Sequence, residues 1–528
     1  MKISLPVFNI ITAVSNVALI LSFTRFKINF VVRNDANFMH LFSYNILLFM
    51  EKYDVILIGT GFASSFFLKK YLEKSSPEKK VLVLDRGAFF PYSERLKQRR
   101  FEKIADEFAN LVPYYNTYEY DNKASKEWVF DPNFGGSSNC WTGCTPRFMP
   151  NDFKMQSLYG VGQDWPISYD DLEHYYCEVE SIMKIAGPSV TPFPRSKPYL
   201  LPPQTLSTVD KLLNDKYKEL YISQPTARAT VAVDNRGACC SSAVCKLCPV
   251  NSKFTIENTL EYLYKDSRVS LKLNSQVFNL IISNNNVNGV IFKNNGKEEE
   301  AFGEIVVLGS NAIFNAHILL SAGDKNYYTG RGLSDQRGTF VNFYFDKLDN
   351  LGGSSSITAN GYMMYDGSFR KDYAGCIIES FNEPLIRTEA GKWRKIARFK
   401  FIFEDLPGDN NRVLLSNDPF KPKLQYEGHQ QYVDDAMEKL RDNIEKYFSF
   451  LPIEKIEMDN YFQKSEFHVC STTRMGTNAD NSVVDKNLIH HNYRNLFVLG
   501  SGAFPTTTPA NPTLTLSALS LMAVDKSF

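Results

Sequence analysis

The chain has almost no net charge. Its 59 lysines and arginines stand against 58 aspartates and glutamates, a formal +1. That balance gives no electrostatic reason for a nucleic acid or an acidic membrane surface as partner. An even cysteine framework is also missing. The nine cysteines are an odd count, and four of them crowd into Cys239–Cys248, unlike an extracellular disulfide scaffold. A reducing, cytoplasmic compartment is the simpler expectation. Internal repeats and low-complexity linkers are absent, which excludes a repeat array. Histidine is scarce, with seven in 528 residues, so each one in a polar motif carries weight. What is present is apolar: 44% hydrophobic and 14% aromatic residues are enough for a large core. The length allows more than one domain.

Residues 1–49 stand apart. Leu5 to Phe23 is mostly apolar, but Asn9, Thr12, Ser15 and Asn16 interrupt it, and a spanning helix wants about 20 apolar residues. There is no small-residue cleavage site and no twin arginine. A second apolar patch runs from Phe38 to Met50, and Met50-Glu51-Lys52-Tyr53-Asp54 leads straight into a core strand. Three origins compete for this segment: an extension upstream of the natural start, a membrane anchor with a membrane or periplasmic location, or a poor signal peptide.

Val55-Ile56-Leu57-Ile58 reads as a buried parallel strand. It meets Gly59-Thr60-Gly61 and a helical stretch from Phe62 to Leu72; a second strand, Val81 to Leu84, ends in Asp85 and Arg86. Glycines at such a turn let backbone amides approach a pyrophosphate at a helix N-terminus, and the acid accepts from a ribose. Ser64 replaces the third glycine of this fingerprint. A plain strand–turn–helix would account for the pattern without any ligand.

Further on, Phe134-Gly135-Gly136-Ser137-Ser138-Asn139-Cys140-Trp141-Thr142 suits a loop lying against a flat ring, or an ordinary turn with one buried tryptophan. Near the C-terminus, His468-Val-Cys-Ser-Thr-Thr-Arg-Met-Gly476 precedes an apolar strand, Leu496 to Leu499, and Gly500-Ser501-Gly502. Ala510-Asn511-Pro512-Thr513 then opens an apolar helix, with Asn511 expected at the cap and Pro512 at the first helical position. His468 alone would pass for a satisfied core histidine.

Together these segments resemble the glucose–methanol–choline (GMC) family of FAD-dependent oxidoreductases, most closely its pyranose oxidase and bacterial sugar dehydrogenase branch. The resemblance covers roughly Tyr53 to Val524. It implies an α/β (α+β overall) fold: a Rossmann-like FAD-binding domain built from discontinuous segments, plus a substrate domain with a mostly antiparallel sheet. The expected flavin segments are 50–150, 226–330 and 461–528, with 151–225 crossing to the substrate domain and 331–460 forming it. FAD would be held by Gly59, Gly61, Ser64, Asp85, Arg86, Gly135, Gly136, Ser138, Asn139, Trp141, Thr142, Val277, Gly500, Ser501, Pro512 and Thr513. In pyranose oxidase a histidine of the Gly-Gly loop carries the flavin covalently; Cys140 stands in that place here, which argues against a histidyl link and leaves a cysteinyl link open, with non-covalent FAD as the expectation.

Oxidising a CH–OH group requires loss of a hydroxyl proton and of a hydride from one carbon. Imidazole titrates near working pH, so His468 is the candidate base and Asn511 the donor to the substrate oxygen. The expected substrate is a small alcohol, sugar or glycoside. Two further functions compete: a flavin-family lyase, and a non-catalytic FAD-binding partner subunit.

Cys239-Cys240-Ser-Ser-Ala-Val-Cys245-Lys-Leu-Cys248-Pro admits three readings: an iron–sulfur cluster, a structural zinc, or reduced cysteines in a loop. With a cluster, electrons would leave towards a cytochrome or quinone. Elsewhere, Asn284 to Glu300 predicts a hairpin with Asn-Asn and Asn-Gly turns. The run from Arg331 to Phe467, with Phe399-Lys400-Phe401-Ile402-Phe403, predicts the substrate sheet, followed by a helix around Tyr432 to Phe448.

Overall fold

Val55 to Ile58 form the inner half of strand β1 (Lys52–Ile58), and none is more than 4% exposed. β2 (Val81–Leu84) lies parallel to it with all four residues buried. A strand covered on both faces has no use for alternation, which is why both read as continuous apolar runs. The structure, a computed structural model, describes residues 22–24, 27–29, 52–109, 111, 113–121, 126–243, 245, 247–459 and 466–528. The chain divides into two units, residues 1–52 and 53–528. In the first, Ser22–Thr24 pairs antiparallel with Lys27–Asn29; the rest of the expected anchor or leader lies outside the described residues. Among the described residues no helix is long and apolar enough to cross a membrane.

In the second unit, helix α1 (Phe62–Lys74) follows β1 directly. The first sheet runs in the order β4 (Val269–Lys272), β2, β1, β7 (Lys297–Leu308), β6 (Asn286–Asn294), β5 (Ser275–Ser283). β13 (Leu496–Val498) pairs parallel with β7. The predicted hairpin is two hairpins. Each turns on two residues of positive φ, Asn284-Asn285 (51° and 58°) and Asn295-Gly296 (46° and 87°), the geometry that two-residue turns demand.

The second sheet is antiparallel throughout. Its order is β12 (Ile453–Met458), β8 (Arg337–Phe345), β11 (Ile396–Phe403), β10 (Cys376–Phe381), β9 (Ile357–Gly361), β3 (Tyr221–Ser223). Alternation divides its two faces. Val341, Phe343, Ile378, Phe399 and Phe401 pack in one core with Val433, Leu440, Ile444 and Phe448. Those last four lie on α4 (Gln431–Glu438) and α5 (Leu440–Phe448), where one helix was expected. The other face carries Phe340, Glu379, Phe381, Arg398, Lys400 and Ile402 and roofs a cavity. Across that cavity, α6 (Thr513–Ser527) is buried along most of its length and belongs to the larger core with α1, α2 (Tyr169–Met183) and α3 (Ala312–Ser321).

Candidate active site

The cavity measures about 830 Å³ and runs from the Gly59 turn to His468 and Asn511. At the first end, Gly59 has φ +94°, and a Cβ there would lie 2.6 Å from the Gly309 carbonyl oxygen, so only glycine closes this turn. A Cβ on Gly61 would meet nothing within 4 Å. Thr60 Oγ1 donates to Asp85 Oδ2 at 2.7 Å and accepts from the Gly135 amide at 2.9 Å, tying the turn, the acid and the Gly-Gly loop together. Burial pushes the Asp85 carboxyl up, against the pull of the Gly87 amide and Thr60. Arg86 lies with its guanidinium 4.4 Å from the Phe314 ring centroid, and its buried Nη1 has no hydrogen-bond partner.

These features fit FAD. The cavity has the volume of a cofactor site. The glycine cradle opens at the N-terminus of α1, where backbone amides favour a pyrophosphate. The orphaned Arg86 Nη1 calls for an acceptor that the protein does not supply. Of the residues expected to hold the cofactor, Gly59, Gly61, Asp85, Arg86, Gly136, Trp141, Thr142, Val277, Gly500, Ser501, Pro512 and Thr513 line the cavity. Ser64, Gly135, Ser138 and Asn139 stand behind its wall. Ser64 Oγ donates to the carbonyls of Ile58 and Gly309, pinning α1 to two strands. Ser138 Oγ donates to Gly135 O, and Asn139 Nδ2 donates to Asp131 and to Phe134 O, so both brace the loop from within.

At the other end, His468 is placed by residues that sequence inspection passed over. The Asp335 carboxylate accepts from the backbone amides of Gln336 (2.7 Å), Glu466 (3.3 Å), Phe467 (3.2 Å) and His468 (3.1 Å), and from Lys126 Nζ at 2.9 Å. It thereby holds a tight turn in which Phe467 takes φ +64°. Gln336 Nε2 donates to the carbonyls of Thr508 and Ala510, the latter at 3.1 Å. That fixes the amide so that Oε1 faces His468 Nδ1 at 2.6 Å. A carbonyl oxygen only accepts, so Nδ1 carries the hydrogen and Nε2 keeps its lone pair. Burial holds the imidazole down at about 4; Lys400 and Lys126 push the same way and Asp335 opposes them. The ring is therefore neutral at working pH.

Asn511 lines the same cavity but does not cap α6. The helix starts one residue later, with Pro512 in the cap position and its carbonyl accepting from Leu516 N at 3.0 Å. The Asn511 side chain is thus left to the cavity, and its Oδ1 has no partner. Glu379, Lys400 and Glu466 share the lining. Burial pushes the Glu466 carboxyl up to about 7, with Lys400 opposing. It also raises Glu379, against the pull of Lys400 and the Asn511 amide.

The cysteine cluster is a correction to the metal expectation. Cys239 Sγ donates to the Ser354 carbonyl at 3.3 Å, Cys245 Sγ accepts from Ser356 N at 3.3 Å, and Cys248 Sγ accepts from Ser252 N at 3.2 Å; Cys240 is exposed. Positive φ at Ser241 and Ala243 turns the loop so that each thiol meets a different neighbour. Among the described residues no three His, Cys, Asp or Glu side chains gather as metal ligands, so neither the iron–sulfur nor the zinc reading has a ligand set in this structure.

Comparison with known proteins agrees with this geometry. Residues 410–520 match the family described as GMC oxidoreductase. The chain is 28% identical to the fructose dehydrogenase large subunit of Gluconobacter japonicus, over 89% of this chain and 97% of that one. It is 22% identical to 2-methyl-1,2-propanediol dehydrogenase of Mycolicibacterium austroafricanum, over 90% and 95% respectively. Pyridoxine 4-oxidase from Mesorbium loti shares the fold at a TM-score of 0.61 and 16% identity, covering 90% of this chain and 99% of that one. The C-terminal part of the chain thus matches the GMC oxidoreductase family, and the chain along most of its length is similar to alcohol and sugar oxidoreductases and shares their mixed α/β fold.

Proposed function

We propose that this protein oxidises a CH–OH group of a sugar or other alcohol, with His468 as base and Asn511 as donor to the substrate oxygen. The observation that carries this reading is the tautomer of His468: Gln336 occupies Nδ1 and leaves Nε2 unprotonated beside a cavity shared with Asn511 and the glycine cradle. FAD bound in that cradle supplies the hydride acceptor. His468 takes the hydroxyl proton on Nε2 as the carbon–hydrogen bond breaks, and Asn511 steadies the oxygen. Because the relative is named as a large subunit, a partner protein such as a cytochrome, or a quinone, is the favoured electron acceptor.

Deuterium at the carbinol carbon of an accepted substrate should slow anaerobic bleaching of the flavin. Turnover without any bleaching would favour the lyase reading instead. The low titration of His468 sets the pH profile. Unlike an ordinary histidine, whose rate would fall below about pH 6.5, this base stays free down to about 4. The bleaching rate should therefore show no loss from His468 between pH 8 and 5, in stopped-flow measurements across that range.

Non-covalent FAD is part of the proposal. Cys140 lines the cavity and is exposed to it, but the protein packed around the cavity wall and then the nearby Asp131 push its thiol up to about 11, so the nucleophilic thiolate is scarce at neutral pH. Acid precipitation should release all of the yellow cofactor into the supernatant; colour kept in the pellet would contradict this.

A further inference from the structure

We propose that Glu379, Lys400 and Glu466 form a substrate subsite that binds a hydroxyl on a carbon adjoining the one oxidised, making the natural substrate a polyol or sugar and not a monohydric alcohol; this rests on the oxidoreductase reading above. Glu379 and Lys400 face each other in register across β10 and β11, on the cavity side of the sheet. Lys400 Nζ donates to Glu466 Oε2 at 2.5 Å, and Glu466 stands two residues before His468. Room for this carboxylate is built in: a Cβ on Gly338 would lie 2.0 Å from Glu466 Oε1.

Three ionisable groups, at 3%, 7% and 9% exposure, sit among Phe340, Phe381 and Ile402, with Arg398 on the same face bonded to Asn342. Lys400 is held 5.1 Å from the Phe340 ring centroid. Oε1 of Glu379 and Oε1 of Glu466 have no hydrogen-bond partner, although the Asn511 amide and Cys144 also reach the Glu379 carboxyl, and Lys400 spends one of its three N–H groups on Glu466. Buried polar atoms are seldom left unmatched. Two orphan acceptors with a cation beside them, in the cavity of the proposed base, describe the complement of a ligand.

The signs of these charges select the ligand. An ammonium group would satisfy the carboxylates but meet Lys400; a carboxylate or phosphate would meet two glutamates. A hydroxyl donates its one hydrogen to a glutamate oxygen and accepts from Lys400 Nζ, so it suits both signs, and a second hydroxyl matches the second glutamate. The single hydroxyl of a monohydric alcohol is already taken by His468 and Asn511, and leaves the subsite unmatched.

The test uses the full chain loaded with FAD and compares anaerobic bleaching and calorimetric binding of D-sorbitol, cyclohexanol and D-glucosamine. The wild type should prefer sorbitol to cyclohexanol by about 100-fold or more in rate over binding constant. Lys400→Met, Glu379→Gln and Glu466→Gln should each cut that preference about 10-fold or more, mainly by weakening sorbitol binding. If Lys400→Met fails to fold, the two isosteric glutamine variants carry the test. Equal preference in the wild type, an unaltered preference in the variants, or tighter binding of glucosamine would overturn the proposal. If no compound bleaches the flavin, the oxidoreductase reading falls separately. The subsite is then judged by binding alone, and sorbitol affinity insensitive to all three substitutions refutes it.

Discussion

Replacing His468 by alanine should slow anaerobic flavin reduction by about 100- to 10,000-fold, the usual worth of a positioned base. FAD should still bind, because the cradle of Gly59, Gly61 and Asp85 lies at the other end of the cavity. The hydroxyl proton then has no acceptor, while the Gln336 amide remains pinned to Thr508 and Ala510. Gln336→Leu should give a smaller loss, since Nε2 is freed from its fixed tautomer without being removed. Flavin content by absorbance and reduction rate by stopped flow separate the two effects. A His468→Ala protein that reduces its flavin at the wild-type rate would assign the base elsewhere.

The largest loss of stability should come from Asp335→Ala. That carboxylate neutralises Lys126, which is 1% exposed, and accepts from four backbone amides. Removing one partner of a buried pair costs about 3–5 kcal/mol, a large share of the roughly 5–15 kcal/mol that holds a domain together. Urea unfolding should show the loss as a lower midpoint. The double variant Lys126→Met, Asp335→Asn should recover part of it, because the buried lysine charge is removed together with the carboxylate that balances it. A double variant no more stable than Asp335→Ala would show that the lost amide contacts dominate, not the loss of charge balance at Lys126.

The elements legible in the sequence are those governed by local rules. The runs at Val55–Ile58 and Val81–Leu84 read directly as buried strands, and the Asn-Asn and Asn-Gly pairs as tight turns. Asn511 shows where a local rule misleads. As a cap it would spend its side chain on α6; the helix begins one residue later and the side chain faces the cavity. Ser64 replaces a glycine whose role is close approach, and its hydroxyl bonds the strands that the glycine would have let in. Asp335 and Gln336 were not legible, because they act on residues more than 130 positions away and only the start of β8 brings them there. Lys400 gave a partial signal as a charge inside Phe399–Phe403, but its partner Glu466 lies on another segment. The cysteine spacing could not fix a metal site, since the loop conformation decides where each thiol points.

The central claim is that the cavity between the Gly59 turn and His468 holds a flavin that an alcohol reduces. The most direct measurement is an anaerobic visible spectrum of the chain reconstituted with FAD, before and after addition of a panel of sugars and polyols. The account predicts a bound flavin band that at least one of them bleaches. Failure to retain FAD after reconstitution would contradict it.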